Sequence, residues 1–222
     1  MTIATWNVER ISSRSRKLSA VESAIEEVSA DILILTETHA CLTGGDEYSV
    51  HGSLPLSPEE HNNYYKAGEL RIAILSRYPV ISQIPVTNPW TTACTLVQTP
   101  VGPLAVYGCI IGVTGRGGSF YTDLAEQISD LHRIGAEHPI CYAGDFNLSF
   151  CDNYFPNKKA KGLLEETFDS LRMRACTGSI PATIDHIVLS ESFLADASVQ
   201  THCWNEDKKL SDHKGVALRL QY

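Results

Sequence analysis

The sequence predicts an α/β protein built on mixed β-sheets. Two observations carry this. Helix-period segments are interleaved with strand-like ones, yet strand pairs such as 92–99 and 103–111 are joined by connections too short to hold a helix, which suits antiparallel neighbours. A strict strand–helix–strand order, the mark of a doubly wound parallel sheet, is absent. The length of 222 residues fits one large domain, residues 1–222, with enough chain to bury a sizeable core. With 43% hydrophobic and 20% charged residues, the composition is that of a folded protein rather than a disordered chain.

The elements follow in order. Residues 2–8 read as a first strand. Residues 17–29 read as a helix, because Leu18, Val21, Ala24, Ile25 and Val28 recur at helical spacing among glutamates. Residues 31–37 form a buried strand with a polar end, followed by a loop-rich stretch over 41–68. Strands are predicted at 70–76 and 79–86, joined through Ser76-Arg77-Tyr78-Pro79, and then the hairpin at 92–111. A Gly-rich loop at 112–118 leads into a helix over 121–135. A strand at 139–145, a loop at 147–161 and a helix at 162–173 come next, and strands near 183–190, 196–202 and 213–221 complete the chain.

The charge balance narrows the function. Against 18 basic residues stand 26 acidic ones, a net charge of −8, which argues against a protein that grips nucleic acid by bulk charge. An enzyme that handles phosphates through bound cations is not excluded. No apolar run approaches the roughly 18 residues of a membrane span, and Met1 leads straight into the first strand without the features of a signal peptide. Seven cysteines, an odd number without a Cys-x-x-Cys, point away from a disulfide framework or zinc cluster. The protein is therefore expected to be cytoplasmic, with reduced thiols, no membrane partner and a monomeric state.

The polar residues that matter sit where apolar strands end. Asn7 and Glu9 follow the first strand, Glu37 ends Ile32-Leu33-Ile34-Leu35-Thr36, and Asp145 and Asn147 end Ile140-Cys141-Tyr142-Ala143-Gly144. Asp185 and His186 precede Ile187-Val188-Leu189, and Asp212 and His213 precede Val216-Ala217-Leu218. One such carboxylate is ordinarily a turn former. Five sites of this kind, with few cations in sequence to pair them, point to a divalent metal as counter-charge, since desolvated carboxylates need a partner. All-oxygen ligands suit Mg²⁺ or Mn²⁺ better than Zn²⁺.

At these residues the sequence resembles the endonuclease/exonuclease/phosphatase superfamily of metal-dependent phosphoesterases. The resemblance runs in order through Trp6-Asn7-Val8, Thr36-Glu37-Thr38, Ile74-Leu75-Ser76-Arg77-Tyr78-Pro79-Val80, Gly144-Asp145-Phe146-Asn147, Ile184-Asp185-His186-Ile187 and Ser211-Asp212-His213. It implies a four-layer α/β sandwich, two mixed β-sheets packed face to face with helices outside and the site at one edge. It also implies roles by position. Glu37 would be the principal metal ligand, with Asn7 and Asp212 in the metal shell. Asp145 would orient or deprotonate the attacking water or bind a second metal, Asn147 would contact the scissile phosphate, and His213 would sit against the phosphate, held by Asp185. Tyr107 aligns with a strand position where many relatives place a histidine and some a tyrosine, and is assigned as a donor to a phosphate oxygen. Glu9 is assigned as a supporting ligand. His186 should face away from Asp185, since side chains alternate along a strand.

Three loops bear on the substrate. Residues 151–161 hold Lys158, Lys159 and Lys161 beside Tyr154 and Phe155, residues 202–210 hold Trp204, Lys208 and Lys209, and the Gly-rich loop holds Arg116 ahead of Phe120 and Tyr121. Basic residues interleaved with aromatics are what a phosphate-tracking, base-stacking groove requires. Lys158, Lys159, Lys161, Trp204 and Arg116 are accordingly the expected substrate contacts, and nucleic acid the expected partner. The alternatives are a phosphatase for a small phosphorylated molecule and a relative that binds without turnover.

Overall fold

The computed structural model describes residues 1–56, 65–113 and 120–222. In chain order its elements are β1 (Thr2–Asn7), α1 (Leu18–Val28), β2 (Ile32–His39), β3 (Ser49–Gly52), β4 (Glu69–Ser76), β5 (Val80–Gln83), β6 (Thr92–Thr99) and β7 (Gly102–Ile110). They continue with α2 (Phe120–Gly135), β8 (Ile140–Asp145), α3 (Lys158–Leu171), β9 (Met173–Ala175), β10 (Asp185–Ser190), α4 (Glu191–Leu194), β11 (Ser198–Trp204) and β12 (Gly215–Gln221). Among the described residues, twelve strands form two six-stranded sheets, ordered β11-β12-β1-β2-β4-β3 and β5-β6-β7-β8-β10-β9. Both are mixed: β1 with β2 and β7 with β8 run parallel, and the remaining pairs are antiparallel.

Alternation along the strands builds the layers. In β2, Ile32 and Ile34 point inward with Ile3, Ile72 and Ile74, where they meet Val106, Ile110, Cys141, Ala143 and Ile187 of the second sheet. The residues between them, Leu33 and Leu35, face the other way and pack with Trp6 against Val21 and Ile25 of α1. On the outer face of the second sheet, Tyr107 and Tyr142 pack under Leu124 and Leu131 of α2 and Leu164 and Phe168 of α3. The result is the predicted four-layer α/β sandwich, with helices on both outer faces.

One backbone position fixes how closely two strands approach. Gly144 stands at φ +144° opposite Cys109 across the parallel β7–β8 pair, and a Cβ there would lie 1.9 Å from the Cys109 carbonyl oxygen. Only glycine fits, so Asp145, the next residue, is placed by a constraint that tolerates no side chain.

Differences from the sequence expectation fall at edges and ends. β3 falls in the stretch expected to be loop-rich, and β9 and α4 fall largely where the sequence predicts no element; β3 is short and largely exposed at a sheet edge and carries no apolar alternation. The predicted helix 162–173 starts earlier, at Lys158, because Asn157 caps it: its side-chain oxygen accepts the Ala160 N–H at 3.1 Å. No helix among the described residues is long and apolar enough to cross a membrane.

Candidate active site

Topology brings the polar strand ends to one edge. β1 and β2 run parallel, so Asn7 at the end of one lies near Glu37 towards the end of the other. β12 runs antiparallel to β1, so its approach, Asp212 and His213, arrives at the same edge. In the second sheet Asp145 closes β8 directly opposite Asp185, the first residue of antiparallel β10.

Local backbone geometry then aims each group. Glu9, Glu37 and Asn147 have left-handed φ values of 51°, 45° and 52°. Such conformations cost about 1–3 kcal/mol each in residues with a Cβ and persist only where the surroundings over-determine them. Here they do. The Glu9 N–H donates to Asn7 Oδ1 at 2.9 Å, the Asn147 N–H to Asp145 Oδ1 at 2.9 Å, and the Arg10 N–H to the Glu37 carbonyl at 2.7 Å. Ser211 Oγ donates to the Asn7 carbonyl at 2.7 Å and accepts the His213 N–H at 3.1 Å. Asn205 Nδ2 donates to the His213 carbonyl at 2.7 Å, and Trp6 Nε1 donates to the same oxygen at 3.2 Å.

The polar centre is buried and densely bonded. Asn7 Nδ2 donates to Asp145 Oδ2 at 3.1 Å, joining the two sheets. His213 Nδ1 lies 2.6 Å from Asp185 Oδ2, a charge-assisted bond that fixes the ring and leaves Nε2, 3.8 Å from Asp212 Oδ1, as the outward nitrogen. Asn147 Nδ2 donates to the Ile111 carbonyl at 2.8 Å. Burial, and then the Asp185 charge, push the Asp145 carboxyl up to about 7, with His213 and two hydrogen bonds acting against the rise. Burial disfavours a charged His213, but Asp185, Asp145 and Asp212 outweigh it and raise the imidazole to about 10. Ligating atoms of Asp145, Asp185 and His213 all lie within 4.8 Å of one another.

These groups open into a cavity of about 610 Å³ whose polar lining is Asn7, Glu9, Glu37, Asp145, Asn147, Asp212 and His213. Its apolar lining is Ile111, Val113, Phe120, Phe155 and Pro156. The donor set suits a hard divalent cation: the side-chain oxygens of Asn7, Glu9, Glu37, Asp145 and Asp212 share the cavity, and buried Asp185 Oδ1 has no hydrogen-bond partner. Glu37 has a partial counter-charge in buried Arg71, whose Nη1 is 3.7 Å away. Arg71 in turn donates to Tyr65 Oη, and its guanidinium lies 4.8 Å from the centre of the Tyr65 ring. Arg10 lies 5.0 Å from the centre of the same ring and bonds Glu69 at 2.7 Å. Nothing in the sequence pointed to this Arg10–Glu69–Tyr65–Arg71 frame behind Glu37, since its members are spread over loop and strand without a motif.

Five of the expected contacts, Tyr107, Trp204, Lys158, Lys159 and Lys161, do not line the cavity. Tyr107 is fully buried, and its hydroxyl donates to Asp130 Oδ2 of α2 at 3.0 Å, so it offers nothing to a phosphate. The register explains why: Ile110, not Tyr107, stands opposite Asp145, leaving Tyr107 three residues, roughly 10 Å, short of the edge. Trp204 ends β11 opposite Gly215 and packs edge-on against Trp6 at 5.7 Å, outside the cavity. Its ring lies directly over Gly215, where a Cβ would come within 1.9 Å of it. Lys161 donates to the Phe150 carbonyl and pairs with Glu165 at 3.7 Å, and Lys159 lies 4.5 Å from the centre of the Tyr121 ring. With exposed Lys158 they sit on the first turn of α3, and none of the three lines the cavity. Arg116 lies outside the described residues. His186 does face away from the site, fully buried, with its ring 4.7 Å from that of Phe150.

Comparison with known proteins matches this arrangement to a family. The model of the Endonuclease/Exonuclease/phosphatase family matches residues 4–213. No curated protein matches the chain in sequence. Among solved structures, the chain is similar to a 3'-5' exonuclease from Neisseria meningitidis, with 17% identity, full coverage of both chains and a TM-score of 0.75. A Neisseria structure described as a 3' phosphatase bound to a product DNA hairpin gives 16% identity, 100% coverage of each chain and 0.75. An AP endonuclease from Archaeoglobus fulgidus gives 16%, 100% of each chain and 0.71. At these identities the likeness establishes the fold.

Proposed function

The chain belongs to the endonuclease/exonuclease/phosphatase family, and we propose that it is a phosphodiester hydrolase acting on nucleic acid with Mg²⁺ or Mn²⁺. The observation that carries this is the Asp145–Asp185–His213 group, of which Asp145 and His213 line a cavity shared with Asn7, Glu9, Glu37 and Asp212. Residues 1–222 act in this reading as one catalytic domain, a monomer of the cytoplasm. Two of the similar structures are named as nucleases, which favours nucleic acid over a small phosphoester.

Glu37, with Asn7, Asp212 and Glu9 beside it, would hold the cation, which when bound polarises a non-bridging phosphate oxygen. The protein's own groups supply the rest. Asp145, with its carboxyl near 7, is poised to orient a water and take its proton at neutral pH. His213, charged and fixed through Nδ1 by Asp185, presents Nε2 to the phosphate as a donor to developing negative charge. Asn147 has one amide hydrogen committed to the Ile111 carbonyl and keeps the other for a phosphate oxygen.

The test is a panel of single- and double-stranded DNA and RNA, a 3'-phosphorylated oligonucleotide and an inositol phosphate, assayed with Mg²⁺ and then with chelator. Metal-dependent cleavage of nucleic acid is expected, and Asp145→Ala and His213→Ala should each lower kcat by at least about 10²-fold. Inert nucleic acids, or cleavage that chelator leaves intact, overturn the reading. Release of phosphate from the 3' end alone would favour the second reading, a terminal phosphatase, to which the DNA-bound Neisseria relative points.

A further inference from the structure

We propose that the apolar wall of the cavity, with Phe155 at its lip, stacks an unpaired nucleobase beside the scissile phosphate. The inference rests on the reading of a nucleic-acid phosphodiester substrate and assigns the part of the site that the acidic side does not explain.

Phe155 is 51% exposed, unusual for a phenylalanine, and stands at φ +49°, a conformation that favours glycine. It lines the same cavity as the carboxylates, together with Ile111, Val113, Phe120 and Pro156. Its exposure is not that of a slack loop, because the wall is propped from both sides. Tyr154 packs edge-on against Phe155 at 4.9 Å, and Lys208 clamps Tyr154 by a 2.8 Å bond to its hydroxyl while lying 4.9 Å from the ring centre. On the other side, Tyr121 Oη donates to Asn157 Oδ1 at 3.1 Å, two residues beyond Phe155, and Tyr121 packs edge-on against Phe120 at 5.6 Å. The Phe120 ring lies over Gly112, where a Cβ would come within 2.7 Å of it.

The chemistry of the wall selects its occupant. The described side chains on this wall, Ile111, Val113, Phe120, Phe155 and Pro156, are apolar and offer a surface for a flat apolar face. Lys208 and Lys159 face tyrosine rings and act as props. A flat, exposed aromatic next to a phosphate site matches a nucleobase, whose face stacks on aromatic side chains with little regard to sequence. A base inside a duplex has both faces covered by its neighbours, so the occupant is unpaired or extruded.

The experiment titrates a 2-aminopurine-labelled single-stranded oligonucleotide, and a labelled chain of the same length with abasic residues elsewhere, against wild type, Phe155→Ala and Phe155→Trp. It is run with chelator and again with Ca²⁺ in place of Mg²⁺. Phe155→Ala should weaken binding of the base-bearing chain by roughly 5- to 100-fold, leave the abasic chain nearly unchanged, and be rescued by Phe155→Trp. Equal affinity of wild type and Phe155→Ala, an equal loss on both chains, or no binding by wild type in either buffer overturns the proposal. Mg²⁺-dependent cleavage with Phe155-independent binding refutes stacking alone. Phe155-dependent base binding without cleavage supports stacking and refutes the hydrolase reading.

Discussion

At the residue scale, His213 shows how neighbours set chemistry. Burial works against its charged form, but Asp185, Asp145 and Asp212 win and lift it from 6.5 to about 10. A base whose folded pKa is raised stabilises the fold fully below its unfolded value and loses that contribution as pH climbs through the folded one. In the metal-free protein, imidazole ¹⁵N shifts should therefore show His213 protonated through neutral pH and titrating only towards about pH 10, and Asp185→Asn should bring it down. A His213 that titrates near 6.5 would refute this account of the site. His213, Asp185, Asp145, Glu37 and Asn7 were legible in the sequence because each is a polar group at the end of an apolar strand, costly to bury without a purpose. Tyr107 and Trp204 were misread for the opposite reason. Nothing about an aromatic in a strand says how far it lies from the edge, and the Ile110–Asp145 register decides that.

At the scale of elements, the start of α3 carries information the sequence obscured. Lys158, Lys159 and Lys161 looked like a basic loop, but Asn157 caps a helix that begins at Lys158, so the three lie on its first turn. The cap serves two elements, because Asn157 Oδ1 accepts both the Ala160 N–H and the Tyr121 hydroxyl, at 3.1 Å each. Asn157→Ala should lower stability by about 1 kcal/mol in denaturant titrations, the usual cost of a lost cap. A change within a few tenths would show that the Asn157 side chain does not support the helix. The long strands and helices were readable because their burial follows a period of two or 3.6. β3 and β9, three or four residues at sheet edges, have too little buried surface to impose a period.

At the scale of the whole molecule, stability should depend on buried groups of opposite sign. His186, fully buried between the rings of Phe146 and Phe150, donates through Nε2 to the Leu148 carbonyl at 3.0 Å. Burial pushes it from 6.5 down to about 4. The unfolded chain binds that proton first, so the contribution of a neutral His186 is complete above 6.5 and is lost as pH falls towards about 4. At one pH unit per roughly 1.4 kcal/mol, this amounts to roughly 3 kcal/mol. Asp145, raised by burial to about 7, has the opposite slope and gains stability on acidification. The His186 contribution is therefore isolated as the difference in unfolding free energy between wild type and His186→Gln across pH 4–7, which should shrink as pH falls. A constant difference refutes it. The sequence by itself determined the α/β class with mixed sheets and marked the acids and amides that gather at the candidate site, because period and the cost of buried charge are local properties. The layered sandwich was implied by the family resemblance. Only the tertiary structure decided which groups meet. The antiparallel β1–β12 register brings residues over 200 positions apart, such as Asn7 and His213, to one edge of the sandwich. The same packing sends Tyr107 and Trp204 into the outer cores and leaves Phe155 facing the cavity. Which side chain faces a cavity is a property of packed layers, and no local pattern encodes it.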